Sequence, residues 1–370
     1  MAGRGWREAA LAWRNRRLAD PRFQRWAADF PLTRPVAQRR ARRLFDLVAG
    51  FVYSQTVAAC VRLKLFDLLA DGPQTEAALA ERFSLPLDAT GRLLGAAAAL
   101  GLVDRLGADR YGLGPQGAAL LGAAGLQEMI AHHDHFYADL ADGVGLLRRG
   151  RGALADYWPY ATSLTPQSTS VEGAAPYSRL MAATQPAVAA DILRAYPLSR
   201  HRRLLDVGGG EGAFLVAAGA HAPALDLVLF DLPAVTAIAR ERLQAAGLLE
   251  RADIHAGDFL VDPLPRGADL ITLVRILHDH DDEGALTLLR GVRAALPQNG
   301  TLLIAEPMAS DRGRNRMSDV YFAFYLLAMG RGRARTPRQL FGLLRAAGFS
   351  RMQRLRTRTP LLLNAIVARP

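Results

Sequence analysis

Apolar and polar positions follow two different rhythms along this chain. From residue 203 onward, short apolar runs alternate with helical patterns. Strands are predicted at 203–207, 225–231, 251–256, 268–274 and 300–306, with helices between them. That order makes an α/β, doubly wound domain whose parallel sheet is covered on both faces. The last stretches, "FSRMQRLRT" and "LLLNAIVAR", lie close enough in sequence to pair as an antiparallel edge.

The front half reads differently. Residues 44–70 are apolar nearly all round, which predicts a helix buried on several sides or set in an interface. "TEAALAERFSL", "PLDATGRLLGAAAALGLV" and "DRLGADRYGLG" then read as helix, turn, helix and a two-stranded wing. Thr75 with Ala78 falls short of a full capping box, whereas Asp88 is a start signal for the second helix. Residues 126–160 look helical, and the Ser/Thr/Pro/Gly-rich 162–176 reads as a linker. Residues 5–29 form an amphipathic Arg/Trp helix broken at Pro21, followed by the punctuation "FPLTRP". Four regions result: an arm over 1–43, a winged helix over 44–125, a helical linker and pocket region over 126–200, and a ligand-binding domain over 201–370.

Charge sharpens this division. The chain of 370 residues carries a net charge of +11. Residues 1–43 hold twelve arginines against Glu8, Asp20 and Asp29, which leaves +9 there. The same stretch contains Trp6, Trp13 and Trp26, three of the four tryptophans. The rest is nearly neutral, so a basic arm sits on an otherwise ordinary domain. It could serve an anionic membrane surface or a nucleic acid, or be a solvated tail. The second winged-helix helix offers Arg92 as its only basic side chain, where DNA readout needs several. Packing or dimerisation is therefore expected of it, and no nucleic acid is expected as a partner. Cys60 is the only cysteine, which excludes an intrachain disulfide, a Cys-based zinc site and a paired-thiol redox centre. No apolar run long enough to span a bilayer and no secretory signal are read in the sequence. A cytoplasmic location is expected, with peripheral contact to an inner or photosynthetic membrane.

Candidate chemistry begins at "RRLLDVGGGEGAF". Gly208, Gly209, Gly210 and Gly212 follow the first strand, where helix N–H groups face a ligand and glycines allow close approach. Alone, this also satisfies the loose dinucleotide fingerprint. Asp231, ending the second strand, suits ribose hydroxyls in either kind of cofactor. "HAGDF" adds Asp258 for an adenine amino group and Phe259 to cover the base; Asp206 and Arg275 flank the crevice. Nothing supplies the second, nicotinamide site a dinucleotide needs. The expected cofactor is S-adenosyl-L-methionine, leaving S-adenosyl-L-homocysteine as product, with no metal. His132, His133, Asp134, His135 and Phe136 form "HHDHF", whose spacing is wrong for helix-borne metal ligands. They line a pocket or form a surface cluster.

"LLDVGGGEG", "FDLP", "GDF", "ILHDHDDEGALTLL" and "GTLLIAEPM" fall in order behind the winged helix. Over residues 44–370 the chain resembles the small-molecule O-methyltransferases, which include caffeate, flavonoid and acetylserotonin enzymes. "ADPRFQRWAADFPLTRPVA" and "AGFVYSQTVAACVRL" are similar to the carotenoid-modifying branch. The resemblance implies that His278, in "LHDH", is the general base and that Glu306 orients it. A second orienting acid usually stands before "RT"; in "GRGRARTP" that position is Ala334. It further implies a substrate wall of Met181, closing "YSRLM", and of Phe324, Tyr325, Leu327 and Met329, with His135 alongside. A large apolar wall points to a hydrophobic small-molecule substrate and suits a polyene better than a catechol. The resemblance to the carotenoid-modifying branch implies the tertiary hydroxyl of an acyclic carotenoid as the acceptor. A phenolic hydroxyl of a polyketide or quinone is the alternative. A homodimer built by residues 44–125 is also expected. A non-catalytic winged-helix regulator is the reading from another class, and it leaves the glycine loop and His278 without a role.

Overall fold

The computed structural model describes residues 2–157, 171–311, 313, 315, 317–358 and 363–370. It divides into two units, Met1–Leu121 and Gly122–Pro370, within four residues of the boundary expected at 125/126.

In the first unit, α1 (Ala2–Ala19) gives way at Asp20, whose carboxylate caps α2 (Pro21–Asp29) by accepting from the Arg22 amide at 2.8 Å. Pro21, lacking an N–H, takes the first helical turn where no partner is needed. The third helix, α3 (Arg34–Arg62), runs straight through residue 43, so the arm and the next region share one element. The single helix expected over 44–70 is two. Lys64 adopts a left-handed conformation (φ 53°) and a separate helix, Leu65–Ala70, follows.

Only Thr56, Ala58 and Cys60 of α3 are buried, while Leu44, Phe45, Leu47, Val48, Phe51 and Val52 are exposed, Phe51 by 70%. Contrary to the reading from sequence, α3 is long and apolar enough to cross a membrane by length and composition. The core helix of a soluble protein or a signal sequence passes the same test.

Thr75 does cap the helix Glu76–Phe83, accepting from the Ala78 amide at 3.2 Å. The next helix, Leu87–Ala99, starts one residue before Asp88, which caps nothing and instead pairs with Arg92 on the exposed surface. The one basic side chain of that helix is thus already engaged. The wing has three strands rather than two: β1 (Gln74–Thr75), β2 (Val103–Arg105) and β3 (Arg110–Leu113), with β3 central.

The second unit opens with helices Ala124–Leu140 and Gly143–Arg149 and a short turn at Ala153–Tyr157; residues 158–160 of the expected helical stretch lie outside the described residues. The expected linker is partly wrong. Residues 162–170 lie outside the described residues, but 171–176 belong to a long helix, Val171–Ala195. Seven strands follow: β4 (Arg203–Val207), β5 (Asp226–Asp231), β6 (Ala252–Ala256), β7 (Leu270–Val274), β8 (Thr301–Glu306), β9 (Arg351–Leu355) and β10 (Asn364–Arg369). Their order is β6-β5-β4-β7-β8-β10-β9, parallel through β8 and antiparallel beyond.

Successive strand residues enter opposite cores. Leu205, Val228, Ile271 and Ile304 pack in one cluster; Leu204, Leu227, Leu270 and Leu303 pack in the other. Burial on both faces is why the strands read as unbroken apolar runs. Chain order reverses beside β4, so the crevice opens at the carboxyl ends of β4, β5 and β7, where ligands of such sheets bind.

The uncovered apolar face of α3 predicts self-association. Sedimentation at micromolar concentration should show a dimer, and the double substitution Val48→Asp/Phe51→Asp should yield a folded monomer. A wild-type monomer, or an unchanged dimer in the variant, would contradict this.

Candidate active site

The glycine loop joins β4 to the helix Ala213–His221. Gly208, Gly210 and Gly212 hold φ values of 68°, 58° and 76°, a region that side chains resist. A Cβ on Gly208 would lie 2.6 Å from Ile276, whereas one on Gly210 would meet nothing within 4 Å. The loop therefore packs tightly behind and faces open space in front.

Asp231 shapes this cradle. Its two carboxylate oxygens accept from the Gly210 and Leu232 amides, each at 2.7 Å, leaving further lone pairs for a ligand. Burial pushes its pKa up to about 6, against the pull of those two amides. Asp206 is buried at the end of β4; Oδ1 accepts from the Thr272 hydroxyl at 2.6 Å and Oδ2 has no partner. Burial pushes Asp206 up to about 7. Asp258 is buried with Oδ1 on the Leu260 amide, and the Phe259 ring lies beside Gly208 and edge-on to His280. Glu211, which sequence reading passed over, is buried and ion-paired with Arg242 behind the loop.

These groups fit S-adenosylmethionine. An unpartnered buried carboxylate oxygen and open space before Gly210 mark where polar ligand atoms would lie. Arg275, expected at the cofactor, directs its guanidinium to the helix Val171–Ala195 instead. It donates to the Thr184 hydroxyl (2.6 Å), the Met181 carbonyl (2.8 Å) and Gln185 Oε1 (2.6 Å). Its backbone is left-handed, with φ 58°, so the chain turns sharply straight after β7.

That turn presents His278, which is buried. Glu306 does not reach the imidazole: Oε2 accepts from the His278 backbone amide at 3.1 Å, so it holds the turn rather than the ring. The neighbour of the ring is Asp279, whose Oδ1 lies 3.3 Å from Nε2. Burial pushes His278 down to about 3, helped by the Arg275, His280 and Arg335 charges. Burial likewise raises Asp279 well above the usual carboxylate range. Both partners favour their neutral forms, so this contact is a close approach of two neutral groups rather than an ion pair. Nδ1 has no side-chain partner, and the Arg275 backbone nearby partly opposes the fall in basicity.

Ala334 packs among the apolar residues of the pocket wall, so a methyl group stands where a second acid was sought. Its neighbour Arg335 has the structural role that the sequence hid. It is 1% exposed and donates to the Leu277 carbonyl (2.6 Å), the His280 carbonyl (2.8 Å) and Asp282 (2.9 Å). Gly332, at φ 79°, lets the loop approach closely: a Cβ there would lie 2.2 Å from the His278 carbonyl.

Phe324, Tyr325, Leu327 and Met329 come together with Met181 and Phe136 in one apolar cluster. Phe322 joins them, its ring 5.8 Å from the His278 ring. His135 is exposed instead of lining this wall. The two preceding histidines face it: His132 Nε2 is 3.3 Å from the Tyr325 hydroxyl, and His133 Nε2 is 2.8 Å from that of Tyr321. Among the described residues, no group of three or more His, Cys, Asp or Glu could hold a metal ion.

Known proteins decide what the crevice is for. Residues 137–350 match the O-methyltransferase domain family and residues 45–123 the O-methyltransferase dimerisation domain. A demethylspheroidene O-methyltransferase of Cereibacter sphaeroides is 44% identical over 348 residues, covering 94% of this chain and 92% of that one. One from Rhodobacter capsulatus is 42% identical over 340 residues, covering 91% and 84%. The chain belongs to the S-adenosylmethionine-dependent O-methyltransferases. The solved structure of human N-acetylserotonin methyltransferase in complex with S-adenosylmethionine matches with a TM-score of 0.76 at 27% identity, covering 89% of this chain and 97% of that one. Cofactor and enzyme class, expected from the glycine loop and motifs, are thereby established for this O-methyltransferase.

Two outcomes follow from the geometry. If Asp231 accepts from the cofactor hydroxyls it must be ionised to do so, and affinity should then fall about tenfold per pH unit below about 6. Calorimetry showing equal affinity at about pH 7 and pH 5 would refute this. Arg335→Ala takes the guanidinium away from the Leu277 and His280 carbonyls, leaving Leu277 only the His280 amide. It should destabilise the fold by about 1.5–3 kcal/mol, the worth of one charged hydrogen bond. A denaturation midpoint unchanged from wild type would count against the clamp.

Proposed function

We propose that this O-methyltransferase methylates the tertiary hydroxyl of an acyclic carotenoid, works as a homodimer, and uses His278 as its general base. The observation that carries the substrate is the apolar, aromatic wall beside His278, in a chain so similar to demethylspheroidene O-methyltransferases over nearly its whole length. Bound S-adenosylmethionine supplies a methyl group already made electrophilic by a sulfonium sulfur. Gly208, Gly210, Asp206, Asp231, Asp258 and Phe259 would hold it, with the carboxylates on polar atoms and the ring on the base.

The protein's part is to place one hydroxyl and remove one proton. His278, held down to about 3 by burial, is neutral at working pH and has a lone pair to offer. So weak a base does not strip a proton from an aliphatic alcohol in advance. The proton reaches the ring only as the oxygen loses its electron pair to the new bond, and alignment carries most of the rate. Glu306 and Arg335 fix the turn, and Phe322, Phe324, Tyr325, Met329 and Met181 fix the substrate chain. Met329 offers no hydrogen bond to a catechol-like ring, which favours a polyene.

Purified enzyme should methylate hydroxylated acyclic carotenoids in preference to a panel of phenols; preference for a phenol would overturn the carotenoid reading while leaving the enzyme class intact. His278→Ala should lower turnover by a factor on the order of 10²–10⁴ with cofactor affinity nearly intact. Glu306→Gln should cost less, since one oxygen can still accept from the turn. Retained turnover in His278→Ala would mean that positioning alone suffices.

A further inference from the structure

None of the residues named in the cofactor cradle or the apolar wall belongs to the arm, which is built around large aromatic side chains. No described side chain of α1 or α2 is buried. Trp6, Trp13 and Trp26 are 63%, 59% and 51% exposed. Trp6 and Trp13 are seven residues apart on α1 and so share one face. Phe23 and Trp26 on α2 and Phe30 at its C-cap lie along one stripe, with ring centroids 5.6 and 5.3 Å apart. Guanidiniums rim these rings: Arg7 lies 5.6 Å from the Trp6 ring and Arg17 lies 6.0 Å from that of Trp13. Asp20, one of only three acids before residue 44, is committed to capping α2.

Three partners could cover such a surface, and its chemistry separates them. A second copy would bring one +9 arm against another. The face suited to a second copy lies further on, at Leu44–Val52 of α3, where the chain matches the dimerisation domain and the exposed side chains are aliphatic or Phe. A nucleic acid duplex would engage the arginines but leave the indoles and phenyl rings in water. An anionic bilayer surface uses both: indoles settle at the headgroup level, where ring and N–H each find partners, and guanidiniums meet phosphates.

We propose that α1 and α2 form a docking surface for anionic phospholipid bilayers. The two helices lie in the plane of the interface, with Trp6, Trp13, Phe23, Trp26 and Phe30 at the headgroup–acyl boundary and the arginines on the lipid phosphates. The inference rests on the arm's own residues and stands whether the substrate is a carotenoid or a phenol.

The test is flotation of the full chain with substrate-free vesicles. Protein should rise with phosphatidylglycerol-containing vesicles, stay behind with pure phosphatidylcholine, and be released by salt. Arg14→Gln/Arg16→Gln/Arg17→Gln should weaken binding on the order of 100-fold. Trp6→Ala/Trp13→Ala/Trp26→Ala should weaken it at least tenfold, with the circular dichroism and the oligomeric state unchanged. Brominated lipid should quench tryptophan fluorescence in the wild type and far less in the Trp variant. Failure to float with anionic vesicles would overturn the proposal. So would equal binding of both vesicle types, tight salt-sensitive binding to duplex DNA in place of vesicles, or dissociation of the dimer as the chief effect of the Trp variant.

Discussion

The buried guanidinium of Arg335 holds the turn after β7 from one side while the Glu306 carboxylate holds it from the other, and the active site depends on this opposition. Arg335 donates to the carbonyls of Leu277 and His280, and Glu306 accepts the His278 amide. Neither touches the imidazole. What they determine is the path of the backbone, and through it the position of a ring that lies beside Asp279 and Phe322. In the proposed role as base, a ring aimed by its own backbone needs no dedicated acid at each nitrogen, and Ala334 packs its methyl into the apolar cluster instead.

The same economy of position governs the cofactor crevice. Asp206, Asp231 and the turn bearing Arg275 and His278 all stand at the carboxyl ends of adjacent parallel strands, because chain order reverses beside β4. The sheet is packed on both faces, so these ends move little relative to one another. Arg275 then ties the catalytic turn to the helix Val171–Ala195, whose Met181 reaches the substrate wall. The glycine loop, the His278 turn and the apolar cluster are thus linked within the second unit.

Much of this was legible in the sequence, for identifiable reasons. Strands buried on two faces announce themselves as apolar runs, and acids at their carboxyl ends stand out against that background. The helical histidines were legible in kind but not in phase: His132 lies four residues before Phe136, on the face that packs inward, and His135 does not. Spacing from Phe136 would have separated them. Arg335 carried no such signal, since it sits among Arg331 and Arg333 in a loop whose composition suggests solvent. The break at Lys64 was equally silent, because a left-handed lysine answers to tertiary packing rather than to its own preference. Ser, Thr, Pro and Gly suggested a linker up to residue 176, whereas the helix has begun by Val171.

Burial ties together the basicity of His278 and the nature of its substrate in the proposed reaction. An imidazole held down to about 3 is a poor base toward any free hydroxyl, phenolic or aliphatic. It becomes an adequate one only when the oxygen acidifies as it attacks, which requires oxygen, methyl carbon and sulfur to be aligned beforehand. In the proposed reaction the apolar, aromatic cluster beside the ring would supply that alignment for a stiff polyene with little conformational entropy to lose, and would keep water from the ring. A more basic, more solvated histidine would gain driving force for proton removal and lose the exclusion that makes the removal productive. In this arrangement the weakness of the base follows from the pocket that makes it sufficient.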